Sequence, residues 1–369
     1  MQDNNMNNPR LVNNSYSMLN SNGSNSVYIN GTTLATLQPA KSFNYHQGAS
    51  ITSLDFDDAG QFLISSGIDK SIQLYDCYKG THSKDIQSQK YGAHSARFTH
   101  EELNCLYAST PEPSDNNENA IRYLSLSNNR YIRYFKGHKA QVSSIEVNPV
   151  DNTFLSSSYD GTVKLWELKS SSAVGNLEIG QNSVIGFDPQ GVVFAIGKYS
   201  QNETGAVSIY DLKTFDKAPF LHVEIPILPG QIWNKLEFSN NGKLILISTD
   251  SAEHYVLDSY LGELLAVVRL AIGSVASKNW MSFKYPYTGC CTFSPCGKYL
   301  MVGTPKSTIN IYDVSNLHNS NNRPVILSRT NHILQSSNGI PKIVSFSPKM
   351  FTLATADTTV TLWLLPEKV

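Results

Sequence analysis

Residues 137–167 read GHKAQVSSIEVNPVDNTFLSSSYDGTVKLWE, and this stretch decides the fold. Val142 to Val147 reads as a strand that ends in a large apolar residue. Asn148-Pro149 punctuates that strand, and Asp160-Gly161 makes a second turn after Ser156-Ser157-Ser158. Val163-Lys164-Leu165-Trp166 is then an alternating strand that closes on an aromatic. Strands joined by short turns form a small antiparallel meander, which needs neighbours to bury its faces.

The same unit recurs along the chain. A strand ending in a large apolar residue before a turn appears at Phe56, Phe98, Val147, Phe187, Phe238, Phe293 and Phe346, spaced 40 to 55 residues apart. Four of these turns continue into Gly60, Gly191, Gly242 and Gly297, which suit the left-handed position of a tight hairpin. A second strand follows and closes on an aromatic, often with an acid after it. It ends in Tyr75-Asp76, Trp166-Glu167, Tyr210-Asp211 and Tyr312-Asp313, with weaker copies around Leu124, Leu257 and Trp363.

Composition agrees with a β-rich reading. The 369 residues include 19 Tyr and 15 Phe, carry a net charge of −1 and are only 16% charged. That balance argues against nucleic-acid binding through a broad basic surface, so no direct nucleic-acid contact is expected. No stretch approaches eighteen uninterrupted apolar residues, and the N-terminus lacks a charged region followed by an apolar core, so neither a membrane span nor secretion is expected. Cys77, Cys105, Cys290, Cys291 and Cys296 contain no CxxC pair and read as small buried residues of a reducing compartment, cytosol or nucleus. Residues 1–30 hold ten Asn and five Ser with only Asp3 and Arg10 charged, and are expected to be a disordered polar tail.

The repeat resembles the WD repeat, and residues 137–167 carry nearly its whole signature. That resemblance implies a seven-bladed, all-β propeller over residues 31–369, its last blade completed by an N-terminal strand from Thr33 to Phe43. In the family a turn Asp, a His, a strand Ser or Thr and a Trp form a hydrogen-bonded tetrad. Here these map to Asp160, His138, one of Ser156–Ser158 (Ser156 is taken) and Trp166. Asp69, Asp250 and Asp357 occupy the corresponding turn with partial sets, and repeats two, four and six lack a clear equivalent.

Long connections sort by face. Thr110–Asn119, Tyr199–Gly205, Leu270–Thr288 and Ser328–Gly339 are expected on one face, and Asn316–Arg323 on the other. Residues beside the turn aspartates should face the central funnel, which nominates Ile68, Tyr159 and Thr249. Arg97, Lys139 and Lys198 lie near the same rim and suit a phosphorylated or acidic peptide.

Signs of catalysis are few. The three Gly-Lys pairs lack the upstream glycine of a phosphate loop, and no GxSxG elbow occurs. His100-Glu101-Glu102 has no second His four residues after His100, and the nine His are scattered. Neither enzyme activity, metal, cofactor nor small-molecule substrate is expected.

A closer resemblance covers most of the propeller. It rests on Ile68–Gly80, on KYGAHSARFTH within Ser88–His100, on Ala120–His138 with IRYLSLSNNRYIRYFKGH, on Asn148–Lys169 and on Val207–Phe220. These stretches are similar to the WD-repeat subunit shared by COMPASS-type histone lysine methyltransferases and, in fungi, the cleavage and polyadenylation factor. The resemblance implies a non-catalytic nuclear scaffold serving histone methylation, mRNA 3′-end processing and transcription termination. Its implied partners are protein subunits of both complexes and the phosphorylated RNA polymerase II tail. A different adaptor, such as a ubiquitin-ligase substrate receptor, is the alternative, to be distinguished by co-purifying cullin components.

Overall fold

The computed structural model describes residues 17–19, 26–110, 119–200, 204–271 and 286–366. Seven sheets of four strands or more stand around a ring, and in each the first three strands run inner to outer in chain order with antiparallel pairing. Blade 1 spans Ile51 to Gln87, blade 2 His94 to Phe135, blade 3 Val142 to Glu178 and blade 4 Ser183 to Pro226. Blade 5 runs from Trp233 to Arg269, blade 6 from Cys291 to Gln335 and blade 7 from Ile343 to Leu364. Strand Gln38–Phe43 pairs antiparallel with Val360–Leu364 as the outer strand of blade 7, and blade 7 packs against blade 1, so the ring closes as the repeat pattern implied. Closure covers the edge of Val360–Leu364, and the inner edges of the blades face the central channel rather than open solvent.

Second strands are covered on both faces by neighbouring blades, so Leu244–Thr249 and Tyr299–Thr304 read as largely apolar runs. Between blades the aromatics interlock: Phe154 stacks on Trp166 at 6.0 Å, and Phe135 from blade 2 meets both edge-on. Gly60, Gly191, Gly242 and Gly297 have φ between +65° and +72°, the conformation their hairpins required.

Three segments depart from expectation. The strand anticipated from Thr33 begins only at Gln38, because Gly31–Ala35 is a short helix. Asn30 accepts the Thr33 N–H at 2.8 Å while the Thr33 hydroxyl accepts the Asn30 N–H at 3.0 Å, a capping box that turns the chain and buries Leu34. The polar tail is not structureless throughout. Ser17–Leu19 pairs with Ser26–Tyr28, Met18 and Ile29 are buried, and the Phe351 N–H donates to the Leu19 carbonyl at 2.8 Å. Two apolar side chains thus dock a segment whose composition alone suggested none; residues 1–16 and 20–25 lie outside the described residues.

The third departure is in blade 6. Ser328–Gly339 is not an insertion between blades, since it contains His332–Gln335, the outer strand of blade 6. The extra chain lies before it, and Val325–Leu327 pairs in parallel with Leu264–Arg269 as a fifth strand on blade 5. The other three inserts lie partly outside the described residues, at 111–118, 201–203 and 272–285.

Candidate functional site

The turns between second and third strands and the links between blades share one face of the ring. In blade 3 their geometry is held by a complete polar relay. His138 Nδ1 lies 2.9 Å from Asp160 Oδ2 and His138 Nε2 lies 2.7 Å from Ser156 Oγ, which accepts the Trp166 indole N–H at 2.8 Å. Asp160 also accepts the Thr162 hydroxyl at 2.7 Å and the Lys139 N–H at 2.8 Å. Burial alone would raise its pKa, but these donors and His138 pull it down to about 2, so the carboxylate stays charged.

Blade 1 contains a second relay that the sequence concealed. His46 Nδ1 meets Asp69 at 2.9 Å and His46 Nε2 meets Ser65 Oγ at 2.7 Å, with Tyr75 OH 3.3 Å beyond in the Trp position. His46 follows Tyr45 rather than Gly, which hid it, though Ser65, Asp69 and Tyr75 stood at the right spacing. In blade 7 the Trp363 N–H donates to Thr355 Oγ1 at 2.9 Å, while Asp357 pairs with Lys342 at 2.8 Å.

Strand register explains which rim residues face solvent. Gly67, Ser158 and Thr249 occupy the same position, each opposite the first residue of its inner strand. Ile68 and Tyr159 come one step later, at 39% and 37% exposure, whereas Thr249 is fully buried and its hydroxyl donates to the Glu253 carbonyl at 2.6 Å. Thr249 is therefore not a rim residue. The Asp250 turn is shifted by one, and Asp250 itself donates its N–H to the blade link at Ile232, as Ile68 does to Ser50 and Tyr159 to Gln141. Asp357 follows Ala356 in the same shifted way. Ile232, held by Asp250 Oδ1 at 2.9 Å and 48% exposed, supplies the apolar rim side chain of blade 5. A sequence spacing counted from aspartates could not reveal it.

Of the proposed basic residues, Lys139 and Lys198 are exposed. Arg97 is not on the rim. It projects from the inner strand of blade 2 into the central channel, where it is buried, meets Glu146 at 2.7 Å and lies 3.9 Å from Asp55. Lys235 pairs with Glu237 at 2.6 Å in the same cavity of about 170 Å³. Inner strands of three blades are thereby tied by opposite charges, while Lys235 and Glu237 pair within one strand of blade 5. The Arg97 guanidinium is engaged with these acids inside the channel rather than presented at its mouth.

The geometry is that of a platform: rigid turns present Ile68, Tyr159, Ile232, Lys139 and Lys198 around a plugged funnel. Comparison with known proteins agrees with this architecture. The family model "WD domain, G-beta repeat" matches residues 37–76 and 129–167. The chain is 34% identical to Set1 complex component swd2 of Schizosaccharomyces pombe over 89% of its own length and 97% of the relative's. It is 35% identical to COMPASS component SWD2 of Saccharomyces cerevisiae, over 92% and 99% respectively. WD repeat-containing protein 82 of Drosophila melanogaster is 33% identical over 85% of this chain and 90% of that one. The similarity runs the length of the ring rather than through isolated repeats, and the chain belongs to the family of WD-repeat proteins that includes these Set1 and COMPASS components.

Proposed function

We propose that this protein is a non-catalytic scaffold subunit of a nuclear Set1/COMPASS-type histone lysine methyltransferase complex. The observation that carries this reading is the similarity at 34–35% identity to two such components across nearly the full length of both chains. The site supports it: the exposed rim offers apolar anchors and two lysines, a pattern suited to gripping a peptide segment of a partner subunit. A second role, in the cleavage and polyadenylation factor and at the phosphorylated RNA polymerase II tail, follows from the family resemblance, and Lys139 and Lys198 are the residues that would meet phosphate there. Affinity purification of the tagged chain followed by mass spectrometry tests both. Recovery of methyltransferase subunits is expected, with polyadenylation subunits in the same eluate. Recovery of cullin components without either set overturns the reading.

A further inference from the structure

Cys290 and Cys291 are consecutive, both fully buried, and their sulfurs lie 3.5 Å apart. Successive residues of a strand point to opposite faces, so this convergence needs a cause. Cys290 sits just before the inner strand Cys291–Phe293 of blade 6, and Gly289 ahead of it adopts φ +82°, which turns the chain. No other residue fits there: a Cβ on Gly289 would approach Asn234 Oδ1 to 2.5 Å.

His254 of blade 5 completes the cluster, its Nε2 3.9 Å from Cys290 Sγ. The ring's other nitrogen, Nδ1, accepts the Thr249 N–H at 3.2 Å. Nδ1 is thus the accepting nitrogen and Nε2 the one directed at the Cys290 sulfur. Ser248 Oγ is a further neighbour at 4.0 Å. Burial by itself would raise the Cys290 pKa, but hydrogen bonds from Cys291, His254 and Ser248 draw it down, whereas Cys77 and Cys105 are raised by burial. Lys235 and Thr288 line the central channel, and the Lys235 ammonium donates to the Cys291 carbonyl at 3.2 Å.

We infer that Cys290 and Cys291 form a redox-modifiable vicinal dithiol, in which Cys290 is the nucleophile toward peroxide and Cys291 the resolving thiol. In the first step the Cys290 thiolate attacks one oxygen of hydrogen peroxide. The O–O bond breaks, hydroxide leaves and is protonated to water, and the sulfur becomes a sulfenic acid. The Cys291 thiol then attacks that sulfur. An S–S bond forms, the S–O bond breaks, and the departing hydroxide takes the Cys291 proton as water. One peroxide and two thiols thus give one disulfide and two waters. Closing the sulfurs to about 2.05 Å distorts the peptide between them. That peptide's carbonyl on Cys290 accepts the Gly303 N–H at 2.9 Å, so the change is felt in the pairing of blade 6.

The test exposes the reduced full-length protein to graded hydrogen peroxide, then alkylates and maps all five cysteines by mass spectrometry. The expected result is a peptide carrying Cys290–Cys291 that is two hydrogens lighter and resists alkylation, formed at least about tenfold faster than any change at Cys77 or Cys105. Cys291→Ser should halt at a sulfenic acid on Cys290 that dimedone traps, and Cys290→Ser should leave Cys291 unreacted. Equal reactivity of all five thiols, or full alkylation of both after peroxide, overturns the proposal. So does a stoichiometric soft cation in the reduced protein that Cys291→Ser removes. The wild-type mapping decides the matter even where a variant fails to fold.

Discussion

Trp166 and His138 meet on one oxygen: the indole N–H donates to Ser156 Oγ at 2.8 Å, and the same hydroxyl lies 2.7 Å from His138 Nε2. With Asp160 accepting from Nδ1, the hydroxyl proton points to Nε2 and every partner is used once. Ser156→Ala strands a buried N–H and a buried ring nitrogen together. At about 1–3 kcal/mol for each, a loss of roughly 2–5 kcal/mol is expected in denaturant unfolding. A loss under about 0.5 kcal/mol would mean that the relay is ornamental.

Arg97 gives a second expectation, from the channel. Arg97→Met keeps the stem but leaves Asp55 and Glu146 facing each other without a cation. Breaking a buried pair in this way costs about 3–5 kcal/mol. Adding Asp55→Asn should return part of that loss, because one of the two uncompensated charges goes with it. No recovery in the double variant would show that Arg97 acts by packing alone.

The pH dependence turns on His94, which is fully buried. Burial lowers its pKa from 6.5 to about 4. Between those values the unfolded chain binds a proton that the folded chain refuses, so stability falls as pH drops through that window, by up to about 3 kcal/mol. Asp55 works against it. Burial outweighs Arg97 and raises its pKa to about 7, so the folded chain binds that proton first and gains stability as pH falls below about 7. The readout is therefore a difference: His94→Gln should flatten the acid loss relative to wild type between pH 6.5 and 4. Parallel curves for the two proteins would refute the assignment.

Partner binding should respond to the rim and not to its buried neighbour. Tyr159→Ala removes an exposed ring and should weaken capture of methyltransferase subunits about five- to tenfold or more, with the thermal midpoint nearly unchanged. Thr249→Val removes a buried hydroxyl that is bonded to Glu253 and should lower stability instead. Undiminished pull-down by Tyr159→Ala would sink the rim as the contact surface.

Packing between blades sets the last expectation. Gly303 has no room for a methyl, since a Cβ there would stand 1.9 Å from the Pro341 carbonyl oxygen. Gly303→Ala should push blades 6 and 7 apart and destabilise by about 1–3 kcal/mol or more, read in a urea melt. A neutral result would require the Pro341 segment to yield.

Much of the ring was legible because each blade repeats the same local devices. Hairpin glycines, strand-ending aromatics and turn aspartates are demands of short-range geometry, so they leave marks in the sequence. What was hidden depends on pairing between distant residues. The one-residue shift at Asp250 is visible only against the register of Trp233 opposite Thr249. His332–Gln335 looks like loop because two of its four residues are exposed and its partner strand lies a long insertion away. Arg97 looked like a ligand for phosphate because its paired acids, Asp55 and Glu146, lie more than forty residues to either side.

The seam of the ring also sets a schedule. Strand Gln38–Phe43 leaves the ribosome early, but its partner Val360–Leu364 is more than three hundred residues behind it. At about 5–20 residues per second, the first strand waits roughly 15–60 s for its place in the sheet. Throughout that interval six blades can form while the molecule remains an open arc with two raw edges. A nascent chain of this kind is vulnerable at its start and is sealed only by the last blade to be made, which makes chaperone cover during synthesis a property of its topology.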